Sequence, residues 1–110
     1  MTQAKLAFLI ISDDANKVLP GLVMARRLKE NRDADVRVLF FGQGVKLAGT
    51  PAIDEPVNGL TEVGILPKAC ITQVEQFGLK SEYSTRPFEL LPAGAEVEAW
   101  AQGGYTVLSF

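Results

Sequence analysis

The chain has 110 residues, of which 47% are hydrophobic and 22% are charged, and its formal net charge is -2. This length fits one domain, over residues 1–110, and the composition is that of a globular protein rather than a disordered or fibrous one. Lysine and arginine are scattered apart from Arg26, Arg27 and Lys29, which excludes the concentrated basic surface of a nucleic-acid-binding protein.

The chain contains no histidine and only one cysteine, Cys70. The lack of histidine excludes Ser-His-Asp and Cys-His catalysis and most zinc and haem sites. No GxxxxGK[ST] phosphate-binding loop is present, and one cysteine cannot form an internal disulfide. The first apolar run, residues 6–11, is too short to cross a bilayer and is followed by acidic residues rather than a signal-peptide cleavage site. We expect a cytoplasmic protein with no cofactor, no metal site and no contact with membranes.

Strands and helices alternate in the first part of the chain. Residues 5–11 form a mostly apolar run, typical of a strand buried on both faces of a parallel sheet, and a helix is predicted from about residue 16 to residue 31. Pro20 is tolerated only near a helix start, which favours a later first residue for this helix. A second strand over residues 35–41 completes a βαβ unit, whose crossover is right-handed in nearly all proteins.

The rest of the chain continues the alternation. Residues 49–59 hold Pro51, Pro56 and Gly59 with few large apolar side chains, and we interpret them as an exposed loop that serves a site. The other predictions are helical turns at residues 45–48 and 60–63, strands at residues 64–69, 88–91 and 105–110, and helices at residues 71–77 and 93–102. The sequence therefore predicts an α/β domain with a doubly wound, mostly parallel five-stranded sheet.

Three segments are expected at the carboxyl edge of such a sheet, where open α/β proteins bind their ligands. They are Ser12-Asp13-Asp14, Gly42-Gln43-Gly44 and Cys70-Ile71-Thr72. Cys70 closes a strand and precedes a helix, whose N–H groups and dipole favour the nucleophilic thiolate. Lys68 lies on the same side of the strand and would add a positive charge. A buried, inert cysteine fits this position equally well.

The residues around Cys70 exclude two kinds of thiol chemistry. Enzymes of the Cys-x5-Arg type need an arginine where this chain has Gln76. A Cys-x-x-Cys motif needs a second cysteine at one of two positions, which are occupied by Pro67 and Gln73. The remaining possibility is a lone thiolate without an acid–base partner, which suits the acceptance and transfer of a group.

Two other motifs are better explained by local structure. Asp13 and Asp14 resemble the acidic pair with which receiver domains bind magnesium, but the phosphorylated aspartate of those domains is replaced here by Cys70. N-capping of the first helix is the favoured interpretation of that pair. Gly42-Gln43-Gly44 begins a GxGxxG fingerprint, but the third glycine position is Leu47 and the segment follows the second strand, so we interpret it as a strand-ending turn.

Four segments carry a family resemblance: KLAFLIISDD at residues 5–14, VLFFGQGVKL at residues 38–47, VGILPKAC at residues 63–70 and GYTVLSF at residues 104–110. With them the chain resembles the DsrE/DsrF-like family, which includes the TusD-type sulfur-relay subunits. The resemblance implies a three-layer, flavodoxin-like fold and assembly into homo-oligomers (dimers, trimers or hexamers) or hetero-oligomers with related subunits. It also implies that Cys70 carries sulfane sulfur as a persulfide, although Pro67 and residues 71–73 depart from the family pattern.

Three hypotheses about function follow. In the first, Cys70 is the catalytic residue of a sulfur carrier that takes sulfur from a donor protein and relays it to an acceptor protein. In the second, the carboxyl edge binds a nucleotide or another small anion without a covalent step. In the third, the chain is a structural subunit of a hetero-oligomer. The residues expected to make polar contacts at this edge are Ser12, Asp13, Gln43, Gly44 and Thr72.

Overall fold

In the computed structural model, which describes residues 2–110, five strands form one sheet. The strands are β1 (Lys5–Ile10), β2 (Asp35–Phe40), β3 (Lys68–Cys70), β4 (Glu89–Leu91) and β5 (Thr106–Ser109). Their order across the sheet is β4-β3-β2-β1-β5, and all four neighbouring pairs are parallel. The predicted five-stranded sheet is therefore confirmed, and it is parallel throughout.

Six α-helices are present within residues 2–110. They are α1 (Ala15–Arg32), α2 (Gln43–Ala48), α3 (Asp54–Glu62), α4 (Ile71–Gln76), α5 (Lys80–Tyr83) and α6 (Ala93–Gly103), with a 3-10 turn at Pro51–Ile53 before α3. In the same residues no helix combines the length and the apolar character needed to cross a membrane.

Helices cover both faces of the sheet. The ring of Phe8 stacks on that of Phe110 at a centroid distance of 5.8 Å, and Gly21 of α1 lies against the same Phe110 ring. On the opposite face, an ion pair joins Lys68 of β3 to Glu96 of α6. The last connection runs from β4 back across the sheet to β5, so a right-handed crossover brings α6 to this second face. The predicted α/β class with three layers, consistent with a flavodoxin-like fold, is confirmed.

The helix α1 begins earlier than Pro20 suggested. Asp14 is its N-cap, because the Asp14 carboxylate accepts a hydrogen bond from the N–H of Asn16 at 2.9 Å. Pro20 therefore lies inside the helix, on its exposed side, which corrects the prediction of a later start. Burial of Val18 and Leu22 on the sheet side helps to stabilise the helix against the hydrogen bond that Pro20 cannot donate.

The prediction of an exposed loop over residues 49–59 is wrong. Thr50 Oγ1 accepts a hydrogen bond from the N–H of Ala52 and caps the 3-10 turn. Pro56 lies in the first turn of α3, where a helix has no partner for the missing N–H. The apolar side chains of this segment are buried at helical spacing, namely Ile53, Val57 and Leu60.

Two smaller differences concern β3 and α5. The strand predicted over residues 64–69 is the shorter β3, which begins at Lys68 because Pro67 has no N–H to donate to the sheet. The helix α5 was not predicted. Its buried Tyr83 donates a hydrogen bond to the carbonyl oxygen of Val45 at 2.6 Å, and burial raises the pKa of this phenol.

Candidate functional site

The segments that follow β1, β2 and β3 lie side by side at the carboxyl edge of the sheet. The N–H of Gly42 donates a hydrogen bond to Oε1 of Gln73 at 2.7 Å, which joins the turn after β2 to α4. Gly44 lies against the carbonyl oxygen of Ile10, the last residue of β1. These contacts bring the turn after β2 to α4 and to the end of β1, and Gln73, for which the sequence carried no signal, makes one of them. The convergence of Ser12-Asp13-Asp14 with Cys70-Ile71-Thr72 stays a prediction.

The turn after β2 requires glycine at two positions. Gly42 has a φ of 61°, a left-handed conformation that strains any residue with a side chain. Gly44 is buried, and a Cβ atom there would collide with the backbone of Ile10. Gln43 lies between the two glycines and is exposed as the first residue of α2. The interpretation of this segment as a strand-ending turn holds for Gly42, whereas Gln43 and Gly44 already belong to α2, which begins two residues before the helical turn predicted at residues 45–48.

The acidic segment after β1 caps α1. The Oγ of Ser12 accepts a hydrogen bond from the N–H of Asp14 at 3.0 Å, and Asp14 in turn caps the helix. Asp13 is exposed. The interpretation of this acidic pair as an N-cap is confirmed, and across residues 2–110 no three cysteine or carboxylate side chains come close enough together to hold a metal ion.

Cys70 ends β3 and is nearly closed off from solvent, with an exposed fraction of 6%. It immediately precedes α4, but its thiol does not cap that helix. Strand alternation and its register with Leu91 of β4 put its side chain on the face that α6 covers, the same face as Lys68. Thr72 lies in the first turn of α4 and is exposed.

Lys68 is not a free cation beside the thiol. Its Nζ lies 2.9 Å from Oε2 of Glu96, and the two side chains are only 14% and 6% exposed. The same carboxylate oxygen accepts a hydrogen bond from Nε1 of Trp100 at 3.0 Å. A carboxylate at contact distance balances the ammonium charge, so the positive charge expected from Lys68 on this side of the strand is paired with Glu96.

Exposed apolar side chains lie on the same face of the sheet as Cys70. Ile11 follows β1 and is 46% exposed, while Phe41 follows β2 and is 37% exposed. The N–H groups of both residues donate to carbonyl oxygens of the neighbouring segments, so both continue the strand pattern by one residue. We call Ile11 and Phe41, together with the exposed Val97 of α6 and Val107 of β5, the α6-side apolar surface.

Three cavities of the surface lie away from Cys70. Two cavities of about 620 Å³ each flank α1. A third, of about 270 Å³, lies between Lys29, Arg37 and Glu89 near the start of β2. None of these three cavities is lined by Cys70, Gly42 or the other residues predicted to bind a ligand.

A polar cluster at the opposite, amino edge of the sheet was not predicted. The hydroxyl of Tyr105 donates a hydrogen bond to Oδ2 of Asp35 at 2.5 Å, and this bond lowers the pKa of the Asp35 carboxyl. Burial, together with the same hydrogen bond, raises the pKa of Tyr105. Arg37 lies over the Tyr105 ring, 5.3 Å from its centre. The partners are 70 residues apart in the chain, so sequence spacing gave no sign of the cluster.

No protein-family model and no curated protein matches the sequence. The chain is similar in structure to BT1422, a conserved protein of unknown function from Bacteroides thetaiotaomicron, with a TM-score of 0.86 and 21% identity over 96% of this chain and 94% of that one. It is also similar to MTH1491, a protein of unknown function from Methanobacterium thermoautotrophicum, with a TM-score of 0.78 and 18% identity over 98% and 100% of the two chains. For the ychN protein of E. coli the TM-score is 0.73 and the identity 20%, over 96% and 99%. These likenesses extend over nearly the whole of each chain and show that this chain shares the fold of the three proteins.

Proposed function

We propose that this protein is a sulfur carrier, which holds sulfane sulfur as a persulfide on Cys70 and passes it to a partner protein. The observation that carries the proposal is the position of the thiol. Cys70 ends a strand at the edge where the turn after β2 contacts both α4 and the end of β1. Ligands of open parallel sheets bind at this edge. The resemblance to DsrE/DsrF-like sequences around residues 63–70 supports the same role.

The transfer needs no group beyond the thiol and its donor. The Cys70 thiolate attacks the outer sulfur of a donor persulfide, the S–S bond of the donor breaks, and a new S–S bond forms on Cys70. The donor leaves as a thiolate and takes up the proton that the Cys70 thiol lost. No electron acceptor is required, because the sulfane sulfur keeps its oxidation state and only moves from the sulfur atom of the donor to that of Cys70.

The low exposure of Cys70 suits a carrier that works with protein partners. A persulfide on a thiol that is 6% exposed is shielded from small thiols, which would otherwise remove its outer sulfur. Delivery of the sulfur then depends on a partner protein that docks at the carboxyl edge and exposes Cys70. The α6-side apolar surface, with Ile11 and Phe41 on the same face as Cys70, supports such docking.

Intact-mass measurements test the proposal. The purified chain is incubated with a small persulfide and, separately, with a sulfurtransferase loaded with persulfide. We expect an added mass of about 32 Da, one sulfur atom, which maps to the peptide that contains Cys70 and is removed by a reducing agent. The protein donor is expected to load the chain faster than the small one, because the thiol is buried.

The Cys70→Ser variant is the control, and it must show no added sulfur with either donor. The same chain unfolded in urea shows that the reagents modify an accessible thiol. If unfolded protein is modified and folded protein is not, with either donor, the sulfur-carrier proposal is wrong.

A second function is favoured by the Lys68–Glu96 ion pair, in which the charge of Lys68 is already balanced. In this alternative the chain acts without chemistry at Cys70, as a subunit of an assembly or as a module that binds a small anion. A nucleotide or other anion that raises the melting temperature of the wild type and of Cys70→Ser equally would support it.

A further inference from the structure

The middle of α1 is apolar on all sides. Its inner side is buried against the sheet and includes Val18 and Leu22. Its outer side carries Leu19, Val23 and Met24, which are 44%, 37% and 47% exposed. A helix that is apolar all round is normally covered on all sides, so the outer side of α1 has the character of a contact surface.

Two grooves run along this outer side. One lies between α1 and α3, and its apolar lining includes Leu19, Val23 and Pro56. The other lies on the far side of the helix and is lined by Pro20 and Met24 as well as Leu19 and Val23. Each has a volume of about 620 Å³. The ridge between them is α1 itself, so ridge and grooves together have a shape that a second helix fits.

Two charges in the α1–α3 groove have no ion-pair partner among residues 2–110. Arg26 pairs with Glu30 and Glu62, at 3.8 Å and 3.2 Å. Arg27 and Glu55 line the same groove, and across residues 2–110 neither takes part in an ion pair. Glu55 lies one helical turn before Gly59, where a Cβ atom would meet the Arg26 side chain, so Glu55 and Arg27 are at different heights along the groove.

We propose that the outer side of α1 binds a second copy of this chain in a two-fold symmetric dimer with the two α1 helices antiparallel. A two-fold axis near Val23 brings Arg27 of each copy to the height of Glu55 in the other, so the opposite charges pair twice while the apolar ridges cover each other. The surface is self-complementary in both charge and apolar character, which is what an isologous contact requires. The proposal does not depend on the chemistry of Cys70, which lies on the other face of the sheet.

Sedimentation equilibrium of the full chain over a range of concentrations tests the dimer. We expect a reversible dimer for the wild type. Leu19→Asp puts a charge into both grooves and is expected to raise the dissociation constant roughly tenfold or more. Leu66→Asp is the matched control, since Leu66 is also an exposed leucine, at 50%, but lines neither of the two grooves. It is expected to leave the association unchanged.

Charge exchange tests the antiparallel arrangement. Arg27→Glu and Glu55→Arg are each expected to weaken the dimer, and the double variant is expected to restore it, because the two charges again face opposite partners. Circular dichroism confirms that each variant is folded. The proposal is overturned if the wild-type chain stays monomeric or if Leu19→Asp leaves the dimer intact. It is also overturned if Leu66→Asp dissociates the dimer to the same extent, or if the double variant dimerises no more tightly than the single variants.

Discussion

The ammonium group of Lys68 and the carboxylate of Glu96 form an ion pair between β3 and α6, with Nζ and Oε2 2.9 Å apart. Both side chains are largely buried, and Trp100 donates a hydrogen bond to the same carboxylate oxygen. A buried charge is costly unless its partner is in place. The pair therefore determines how α6 sits on the face of the sheet that carries Cys70.

Removal of one partner of this pair should strongly destabilise the protein. In Lys68→Met the Glu96 carboxylate keeps only the Trp100 N–H as a partner, and we expect the free energy of unfolding to fall by about 3 kcal/mol. The double variant Lys68→Met, Glu96→Gln removes both charges. Its loss in the free energy of unfolding should be smaller than the sum of the losses in the two single variants. Urea-induced unfolding of the four proteins measures the coupling.

Lys80 offers a matched control for that experiment. Its ion pair with Glu75 spans 3.6 Å, and both side chains are more than half exposed. Lys80→Met should change the free energy of unfolding by less than about 1 kcal/mol, because solvent screens an exposed pair. Equal losses in Lys68→Met and Lys80→Met would contradict a structural role for the buried pair.

Gln73 should stabilise the carboxyl edge through its bond to Gly42. Gln73→Ala leaves the partly buried N–H of Gly42 without an acceptor, and we expect a loss of about 1–2 kcal/mol in the free energy of unfolding. Hydrogen exchange at the Gly42 amide should become faster as well. Gln76→Ala, at an exposed position of the same helix, should change neither quantity. If hydrogen exchange at the Gly42 amide is the same in both variants, the hydrogen bond between Gln73 and Gly42 does not form in solution.

The sheet was predictable because its signals are local. The apolar runs at residues 5–11 and 35–41 report burial on both faces of a parallel sheet, and this needs no knowledge of distant residues. The loop predicted over residues 49–59 failed because its prolines, its glycine and its few large apolar side chains were interpreted as the composition of a loop. A proline in the first helical turn replaces an N–H that has no partner there, so it is compatible with the observed helices.

The surroundings of Cys70 could be predicted only in part. Its place at the end of a strand follows from local pattern, and so does the side of the strand that it shares with Lys68. The neutralising partner of Lys68 lies 28 residues further along, on a helix of the opposite layer from α1, and no periodicity links the two positions. Charge balance at the site is a tertiary property, which is why the sequence did not reveal that Lys68 is paired with Glu96.

The close approach of Gly44 to β1 should make this position intolerant of any side chain. Gly44→Ala would force the Cβ atom into the carbonyl oxygen of Ile10, and we expect a loss of about 1–3 kcal/mol, since backbone must shift to make room. Gly94→Ala is the matched control in α6, where open space surrounds the position. There the substitution should stabilise the protein by about 0.5–1 kcal/mol. Thermal or urea unfolding measures the sign of the change in stability for both variants. A Gly44→Ala variant as stable as the wild type would contradict the close approach.

The hydrogen bond between Tyr105 and Asp35 should make stability depend on pH at both extremes. Because the bond lowers the pKa of Asp35, its contribution is present above the unfolded pKa of about 3.9 and is lost as the pH falls through the lower folded value. The pKa of Tyr105 is raised, so its contribution is present below about pH 10 and is lost as the pH rises through the folded value. Tyr105→Phe removes both contributions. We expect it to lower the free energy of unfolding by roughly 1 kcal/mol near pH 7, a modest loss because Asp35 is partly exposed. Urea unfolding from pH 2 to pH 11 should show the difference between the two proteins shrinking at both ends, whereas a constant difference would mean that only packing of the ring matters.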